Sequence, residues 1–335
     1  VATYDPLSGG VPLLEAAKCG SDMIKQGVVE TFIQESPIAE MLPWMTIAGN
    51  ALKSFEEGSL PDLQFRSVNE QYSRVWGSDV EHFWGVTILG AEVFIDNYLT
   101  RVTANQQDLK AKQYGKITRS LARKLDVTSV RGTGDSKDFK GFDKLIEEGF
   151  GQRISSISSG TTPLDINASA ANGQAFLDKL DEANDLLRNQ STADFILLNR
   201  ATRRAITRAA RTSVSGVSLI DVGTDVFGRQ VVSWNDTPLK IVGDDHTGAA
   251  ILSQTETAVS NASAIAYSGG TASSLYMVST GDMGVTGLLG AGGTFEVRDF
   301  GEIDGAPGSV GRIELYPGLA AFSKYGLVRL HSFDA

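Results

Sequence analysis

Three spacings of apolar residues organise the chain. Between about 102 and 130, Ala111, Tyr114, Ile117, Leu121 and Leu125 recur at steps of three and four. That period puts one apolar stripe on one long helix, about 40 Å in length at 1.5 Å per residue. It lacks proline, and its interior Gly115 costs only about 1 kcal/mol. Phe176, Leu180, Ala183 and Leu187 repeat the pattern at i, i+4, i+7 and i+11. Phe195–Leu198 is a continuous apolar run, read as a buried strand, and Asn199 is a good N-cap for a helix over Arg200–Arg211. Phe142–Glu148 makes a short amphipathic piece. Leu13, Leu14, Ala17 and Met23 mark another helical pattern, and Pro37 and Pro43 bracket an apolar plug of Ile38, Met41 and Leu42.

Short alternating stretches supply the rest. Val86, Ile88, Val93 and Ile95 read as strand on either side of a break at Gly90. Further strands are predicted at Val226–Val232, Leu239–Val242, Ala249–Leu252, Leu275–Val278, Val285–Leu289, Thr294–Val297, Arg312–Leu315 and Leu327–Leu330. Strands mixed with helices, without βαβ alternation, make the chain α+β, and no tandem repeat of fixed period runs through it.

Residues 49–85 stand apart. Strand-like fragments (Ala51–Phe55, Leu63–Phe65, Tyr72–Trp76) alternate with the turn residues Gly58, Ser59, Pro61, Asp62, Asn69, Gly77 and Asp79. Too few apolar residues are consecutive to build a core, and an isolated hairpin is marginal in water. The stretch must lie on something else. Its own body is one candidate; another copy of the chain is the one favoured here.

Composition narrows the function. With 335 residues, 30 basic and 40 acidic, the net charge is −10, which disfavours tight sequence-independent binding of nucleic acid by the whole surface but leaves room for a local basic patch. The 36 glycines indicate many turns and bends, and a single cysteine, Cys19, cannot close an intrachain disulfide. Charges at Asp5, Glu15, Lys18, Asp22, Lys25 and Glu30 leave no apolar core for a secretory signal, and no run of about 18 apolar residues exists to cross a membrane. The chain starts at Val1, so an initiator or longer leader is expected to have been removed or left out. The expectation is a soluble protein made in the cytoplasm.

Catalytic motifs are missing. No GxSxG elbow, Walker A loop or HExxH occurs, and His82, His246 and His331 hold no metal-ligand spacing with one another or with Cys19. Asp244-Asp245-His246 is the densest polar cluster, readable as a metal or hydrolase site and equally as an exposed turn. Gly287, Gly290, Gly292 and Gly293 resemble a nucleotide loop but lack the helix that would point at phosphate, so they are read as a β-bend. Lys110, Lys112, Lys116, Arg119, Arg123 and Lys124 on the long helix are read as a solvated or salt-bridged face, with nucleic-acid contact as the alternative. The sequons at Asn167, Asn189, Asn235 and Asn261 mean little without a secretory signal. No cofactor or metal is expected, and no enzymatic activity.

One stretch carries a resemblance. Asp225-Val226-Phe227-Gly228-Arg229-Gln230-Val231-Val232-Ser233-Trp234-Asn235-Asp236-Thr237-Pro238 resembles a pattern of tailed-bacteriophage major capsid proteins, a strand leading through an Asx turn to a proline. Ile241-Val242-Gly243-Asp244 is similar to the same family, as is Phe195-Ile196-Leu197-Leu198 capped by Asn199 with Thr202 following. There many members have proline where this chain has Arg200. Tyr316-Pro317-Gly318-Leu319-Ala320 is similar to the family's closing strand.

The resemblance implies the Johnson fold, shared with herpesvirus shell proteins and encapsulins. Residues 1–48 would be the N-terminal arm and connector, and 49–85 the extended β-hairpin loop. The peripheral domain would take 86–134 and 281–335 with a spine helix over 102–130, and the axial domain, with a central mixed sheet, 135–280. The function implied is a major capsid protein forming pentamers and hexamers of an icosahedral shell around double-stranded DNA. Phe55, Leu63, Phe65, Arg66, Tyr72, Arg74 and Trp76 are the candidate inter-subunit residues. Shell expansion on maturation, a family trait, makes Gly115 a candidate hinge; Lys–Asn crosslinking, found in some relatives, has no signal here. Implied partners are copies of the chain, scaffolding and portal proteins, a decoration protein and DNA held by weak contacts. A separate scaffold or prior cleavage is implied because no long helical N-terminal extension precedes the arm. The Gly/Ser/Thr/Ala-rich stretch 243–280 is expected near the capsomer centre or on the outer surface. The location implied is the virion, assembled in the host cytoplasm. An encapsulin-type compartment is the alternative, and a hydrolase a remote one.

Overall fold

The structure, a computed structural model, describes residues 23–102, 106–135, 137–187, 193–212, 220–224, 230–260, 266–281, 284–290, 295–303 and 305–335. Cys19, most of the predicted arm, and Asp225–Arg229, Gly292 and Gly293 therefore lie outside the described residues.

Two helices come first, α1 (Met23–Glu35) and α2 (Pro37–Met41). Ser36 separates them and caps the second, its hydroxyl accepting from the Ala39 amide at 3.0 Å, while Pro37 takes a first-turn position that needs no N–H. Phe32, Ile33, Ile38, Met41 and Leu42 are buried, so the plug between the two prolines exists. Then follow β1 (Trp44–Thr46), the hairpin strands β2 (Ala51–Ser59) and β3 (Ser78–Gly85), β4 (Leu89–Asp96), α3 (Asn97–Val102) and the long helix α4 (Gln106–Arg131). Helix α4 buries Thr118, Leu121, Ala122 and Leu125, with Tyr114 and Ile117 packed at the margin of the same core. Ala111 is exposed, so the stripe starts later than its period predicted; a single methyl gains little from burial.

After α5 (Phe142–Glu147) come β5 (Gln152–Ser155), β6 (Ile157–Ser159), β7 (Thr162–Asp165), α6 (Ala170–Asp185), β8 (Phe195–Leu198), α7 (Arg200–Thr212), β9 (Ile220–Thr224), β10 (Gln230–Trp234), β11 (Thr237–Ile241) and β12 (Ser273–Val278). The chain closes with β13 (Val285–Leu289), β14 (Glu296–Ile303), β15 (Ala306–Leu315), β16 (Pro317–Ala321) and β17 (Leu327–Asp334).

A nine-stranded mixed sheet runs β6-β7-β17-β12-β8-β11-β10-β9, with β5 also paired to β17. Strands β8 and β11 are parallel, whereas β12 is antiparallel to both β8 and β17. Its central strands are covered on both faces. Phe195, Leu197, Tyr276, Val278 and Leu327 enter one core with α4 and α5 residues; Ile196, Leu198, Leu275, Met277, Val328 and Leu330 enter another beneath α6 and α7. Continuous apolar runs at β8 and β12 follow from this two-sided burial. Asn199 does cap α7, accepting from the Thr202 amide at 2.7 Å, and its amide group donates to Ser273 Oγ at 2.9 Å. A strand from the 281–335 stretch, β17, thus lies inside the sheet built mainly by residues 135–280.

Smaller sheets complete the frame: β1-β13-β16, β14-β15-β4, and the two-stranded β2-β3 hairpin. Several local predictions are corrected. Leu63–Phe65 and Tyr72–Trp76 are not strands, and Ala249–Leu252 makes only an isolated Asp244–Ala250 bridge, though Ile251 and Leu252 are buried. Gly90 is no break: β4 continues through it opposite Glu314, and a Cβ there would come within 2.7 Å of the Ile313 carbonyl. Gly287 is strand, not bend, because β13 passes under the Trp44 indole, which an added Cβ would strike. Strands β1, β5, β6 and β7 had no clear alternation to announce them.

Candidate inter-subunit surface

Register in the hairpin divides its faces. Leu52 pairs with Trp84, Ser54 with His82 and Glu56 with Val80, while Lys53 pairs with Phe83 and Phe55 with Glu81. Side chains alternate across a strand, so Leu52, His82 and Trp84 share one face. That face grips the body: Trp84 and His82 meet the Phe150 ring edge-on at 4.8 and 4.6 Å. Trp84 Nε1 donates to Ser54 Oγ at 2.8 Å, which satisfies the indole of this buried side chain. The opposite face, with Phe55 and Phe83, is open to solvent. Lys53 spans it, paired to Glu81 at 2.8 Å and lying 4.8 Å from the Phe55 ring.

Beyond the strands, residues 60–77 form an irregular tip. Asn69 adopts φ +71° in a turn closed by the Glu70 amide on the Ser67 carbonyl at 3.3 Å. Arg66 braces the turn, donating to the Ser67 and Glu70 carbonyls at 3.3 and 3.2 Å and stacking 5.2 Å from the Tyr72 ring. Arg66 therefore shapes the tip as well as charging it. Arg74 is exposed.

Apolar exposure sets the tip apart. Phe65 is 105% exposed, Trp76 82% and Leu63 80%, with Phe55 and Tyr72 also open. Among the described residues, nothing of the chain's own body covers these rings. At about 150 Å² or more per aromatic, these five side chains offer on the order of 800 Å², the share one partner gives to a standard interface. Leu60, Val68 and Phe83 extend the surface and were missed, although the alternation with buried Trp84 would have exposed Phe83. A second open group, Ile88, Phe94, Tyr98, Leu99 and Phe300, lies on and around the β14-β15-β4 sheet and had no sequence signal.

The other candidates resolve differently. Asp245 is the centre of a turn: its Oδ1 accepts from Thr247 Oγ1 at 2.6 Å and from the Thr247 and Ala249 amides at 2.7 and 2.9 Å. The Thr247 hydroxyl, foremost among these donors, holds its carboxyl below the usual carboxylate range. Among the described residues no group of three or more His, Cys, Asp or Glu could hold a metal ion. On α4, Arg119 and Arg123 each approach Glu35 at 3.8 Å, part of the salt-bridged face expected there. Gly115 sits within uninterrupted α-helix, with open space where a side-chain methyl would stand. Among the described residues no helix is long and apolar enough to cross a membrane.

The most polar interior cluster belongs to Arg329. This fully buried side chain pairs with Asp143 and, at 3.1 Å, with Glu256, and also donates to Ser274 Oγ at 3.1 Å. Tyr276 donates to the same Asp143 carboxylate. The cluster joins α5, β12 and β17 and acts as a structural tie.

No protein-family model matches this sequence, and no curated protein matches it. Solved structures do. The chain aligns over 89% of its length with 87% of the holo-SrpI encapsulin from Synechococcus elongatus PCC 7942, at 14% identity and a TM-score of 0.60. It aligns over 90% with 91% of the capsid protein of the native GTA particle, at 12% identity and a TM-score of 0.57. For the capsid of cyanophage P-SCSP1u the shares are 87% and 86%, with 13% identity and a TM-score of 0.54. The likeness is one of fold, and it spans nearly the whole of each chain.

Proposed function

Starting from the Johnson fold that the chain shares with these capsid and encapsulin shells, we propose that it is a shell protein whose copies close into an icosahedral container. The carrying observation is the exposed row Phe55, Leu63, Phe65, Tyr72 and Trp76 on a hairpin that, among the described residues, grips the body through its root. Such a row is stable in water once a neighbour covers it, and aromatic anchors supply much of an interface's energy. The loop 49–85 lies across the adjacent subunit of the same ring, and Arg66 and Arg74 flank the apolar contact. Closed symmetry repeats each contact around every pentamer and hexamer.

The finer reading is a tailed-phage major capsid protein. Residues 1–48 serve as arm and connector, 86–134 with most of 281–335 as the peripheral part, and 135–280, joined by β17, as the axial part. Shells assemble in the host cytoplasm with scaffolding and portal proteins, take a decoration protein, and hold double-stranded DNA by weak contacts. The net charge of −10 supports this, since an acidic lining lets packed DNA slide. An encapsulin-type compartment is the second reading, favoured by the alignment with the holo-SrpI encapsulin. Neither reading gives the chain a catalytic role.

Negative-stain microscopy of the purified chain, alone and with a deletion of residues 60–76, tests the proposal. The full chain should form uniform icosahedral particles and the deletion a folded, unassembled species. Normal shells from the deletion would overturn the loop's role. Particles filled with DNA favour the phage reading; particles closed around a co-purified enzyme favour the compartment.

A further inference from the structure

The helical layer over one face of the central sheet is electrically polarised. On α6, Asp178, Asp181, Glu182 and Asp185 are exposed at i, i+3, i+4 and i+7, which places them on one face. Lys179 is the single cation of that helix and pairs with Glu182 at 2.6 Å. Partial desolvation first, and then repulsion from Asp178 and Asp185, raise the carboxyl of the exposed Asp181 above its ordinary range. Helix α7 is the opposite. Arg200, Arg204, Arg208 and Arg211 are exposed at i, i+4, i+8 and i+11, Arg203 is half-buried, and no acidic residue occurs between Arg200 and Thr212. Arg208 also donates to Asn167 Oδ1 at 3.3 Å.

The sheet fixes where these charges sit. Helix α6 packs on β17 and β7, and α7 packs on β11. The two helices also pack directly on each other, Gly173 of α6 against Ala209 of α7, so they lie side by side at about the 8–10 Å of packed helices. One flank of the layer is therefore acidic and the other basic. Identical subunits in a ring meet through unlike faces, each presenting one surface to the neighbour ahead and a different one to the neighbour behind.

We infer that the acidic face of α6 in one copy docks beside the arginine face of α7 in the next. The partner is a second copy of this chain, chosen by charge complementarity along its own sheet. This rests on the shell reading, but on elements other than the loop. Exposed ion pairs are individually weak, so their main effect is to select the register and speed the encounter, while the apolar loop holds the contact.

A charge swap tests it in the full-length chain. Arg204→Glu with Arg211→Glu, and separately Asp178→Arg with Asp185→Arg, should each lower the yield of particles at least tenfold by light scattering and microscopy. All four substitutions in one chain should bring the yield back to within about twofold of the parent, which rules out misfolding as the cause of the losses. Parent-like yield from either pair alone overturns the inference and leaves the shell reading standing. Loss in both pairs without recovery in the fourfold variant overturns it too. Unchanged yield with loss of double-stranded DNA retention on a filter would assign the arginines to phosphate instead, and also overturn it. A parent chain that forms no particles removes the shell reading and this inference together.

Discussion

Phe195 and Phe65 are the same residue in opposite circumstances. Phe195 lies in β8, fully buried between two other strands of the central sheet, with neighbours Ile196, Leu197 and Leu198 equally enclosed. Phe65 stands in the hairpin tip with its whole ring in water. Central-strand residues stabilise the chain that contains them. Tip residues give that chain nothing until something else covers them. The difference separates the part of the sequence that specifies a fold from the part to which the proposal gives the assembly.

Truncating both rings makes this measurable. Phe195→Ala should destabilise the monomer by about 3–5 kcal/mol, the usual cost of emptying an aromatic site in a packed core. Phe65→Ala should change monomer stability by less than about 0.5 kcal/mol, as surface substitutions do, while lowering particle yield. Urea unfolding of the unassembled chain reads the first effect, and light scattering under assembly conditions the second. A large loss of monomer stability in Phe65→Ala would mean that the tip is part of its own core.

A smaller effect sharpens the account of the interior. Asp126 of α4 is fully buried, accepting from Ser36 Oγ at 2.5 Å, and burial pushes its carboxyl up to about 8 despite that bond. The folded chain thus binds this proton more tightly than the unfolded one. Its contribution is complete below the ordinary value near 3.8 and is lost as pH rises toward 8, so stability should fall by a few kcal/mol across that window. Asp126→Asn should flatten the dependence and be the more stable chain at pH 8, measured by urea midpoints at several pH values. A parallel fall in both chains would refute the assignment.

The Arg329 cluster is next in size. Glu256→Gln leaves Arg329, among the described residues, with Asp143 as its remaining anionic partner and should cost roughly 1–3 kcal/mol, since a buried charge loses part of its compensation. The effect should appear equally in monomer and particle, unlike any change in the tip. Thermal melts of both species would show it.

Much of the fold was legible because burial leaves periodicity behind. Strand β13 was predicted with its observed ends, and the Asn199 cap and the α6 stripe appeared as read. Strands β5 to β7 escaped because they are short pieces near one end of the sheet, where the pairing of Gln152–Ser155 and Thr162–Asp165 with β17 is set by tertiary context. Within the loop the residues were found and their conformation was not: Leu63 and Tyr72 were placed on strands that do not form. Apolar content marks a surface that needs covering, but residues that pack on nothing in their own chain carry no period. The charge polarity of α6 and α7 was hidden for another reason, because each helix alone reads as ordinary solvated surface.

Gly115 offers the smallest and most selective test. Apart from its own helix backbone, none of the described residues comes within 4 Å of a methyl group added there, and the helix continues on both sides, so Gly115→Ala meets no steric penalty from packed neighbours. Lower unfolded-state entropy and better helix propensity should stabilise the unassembled chain by up to about 1 kcal/mol. If α4 bends at this residue when the shell changes size, the same substitution should slow that change, because the flexibility it removes is what the bend requires. Expansion followed by small-angle scattering after a pH shift separates the two effects. Stabilised monomers whose particles expand at the parent rate would make Gly115 a tolerated glycine.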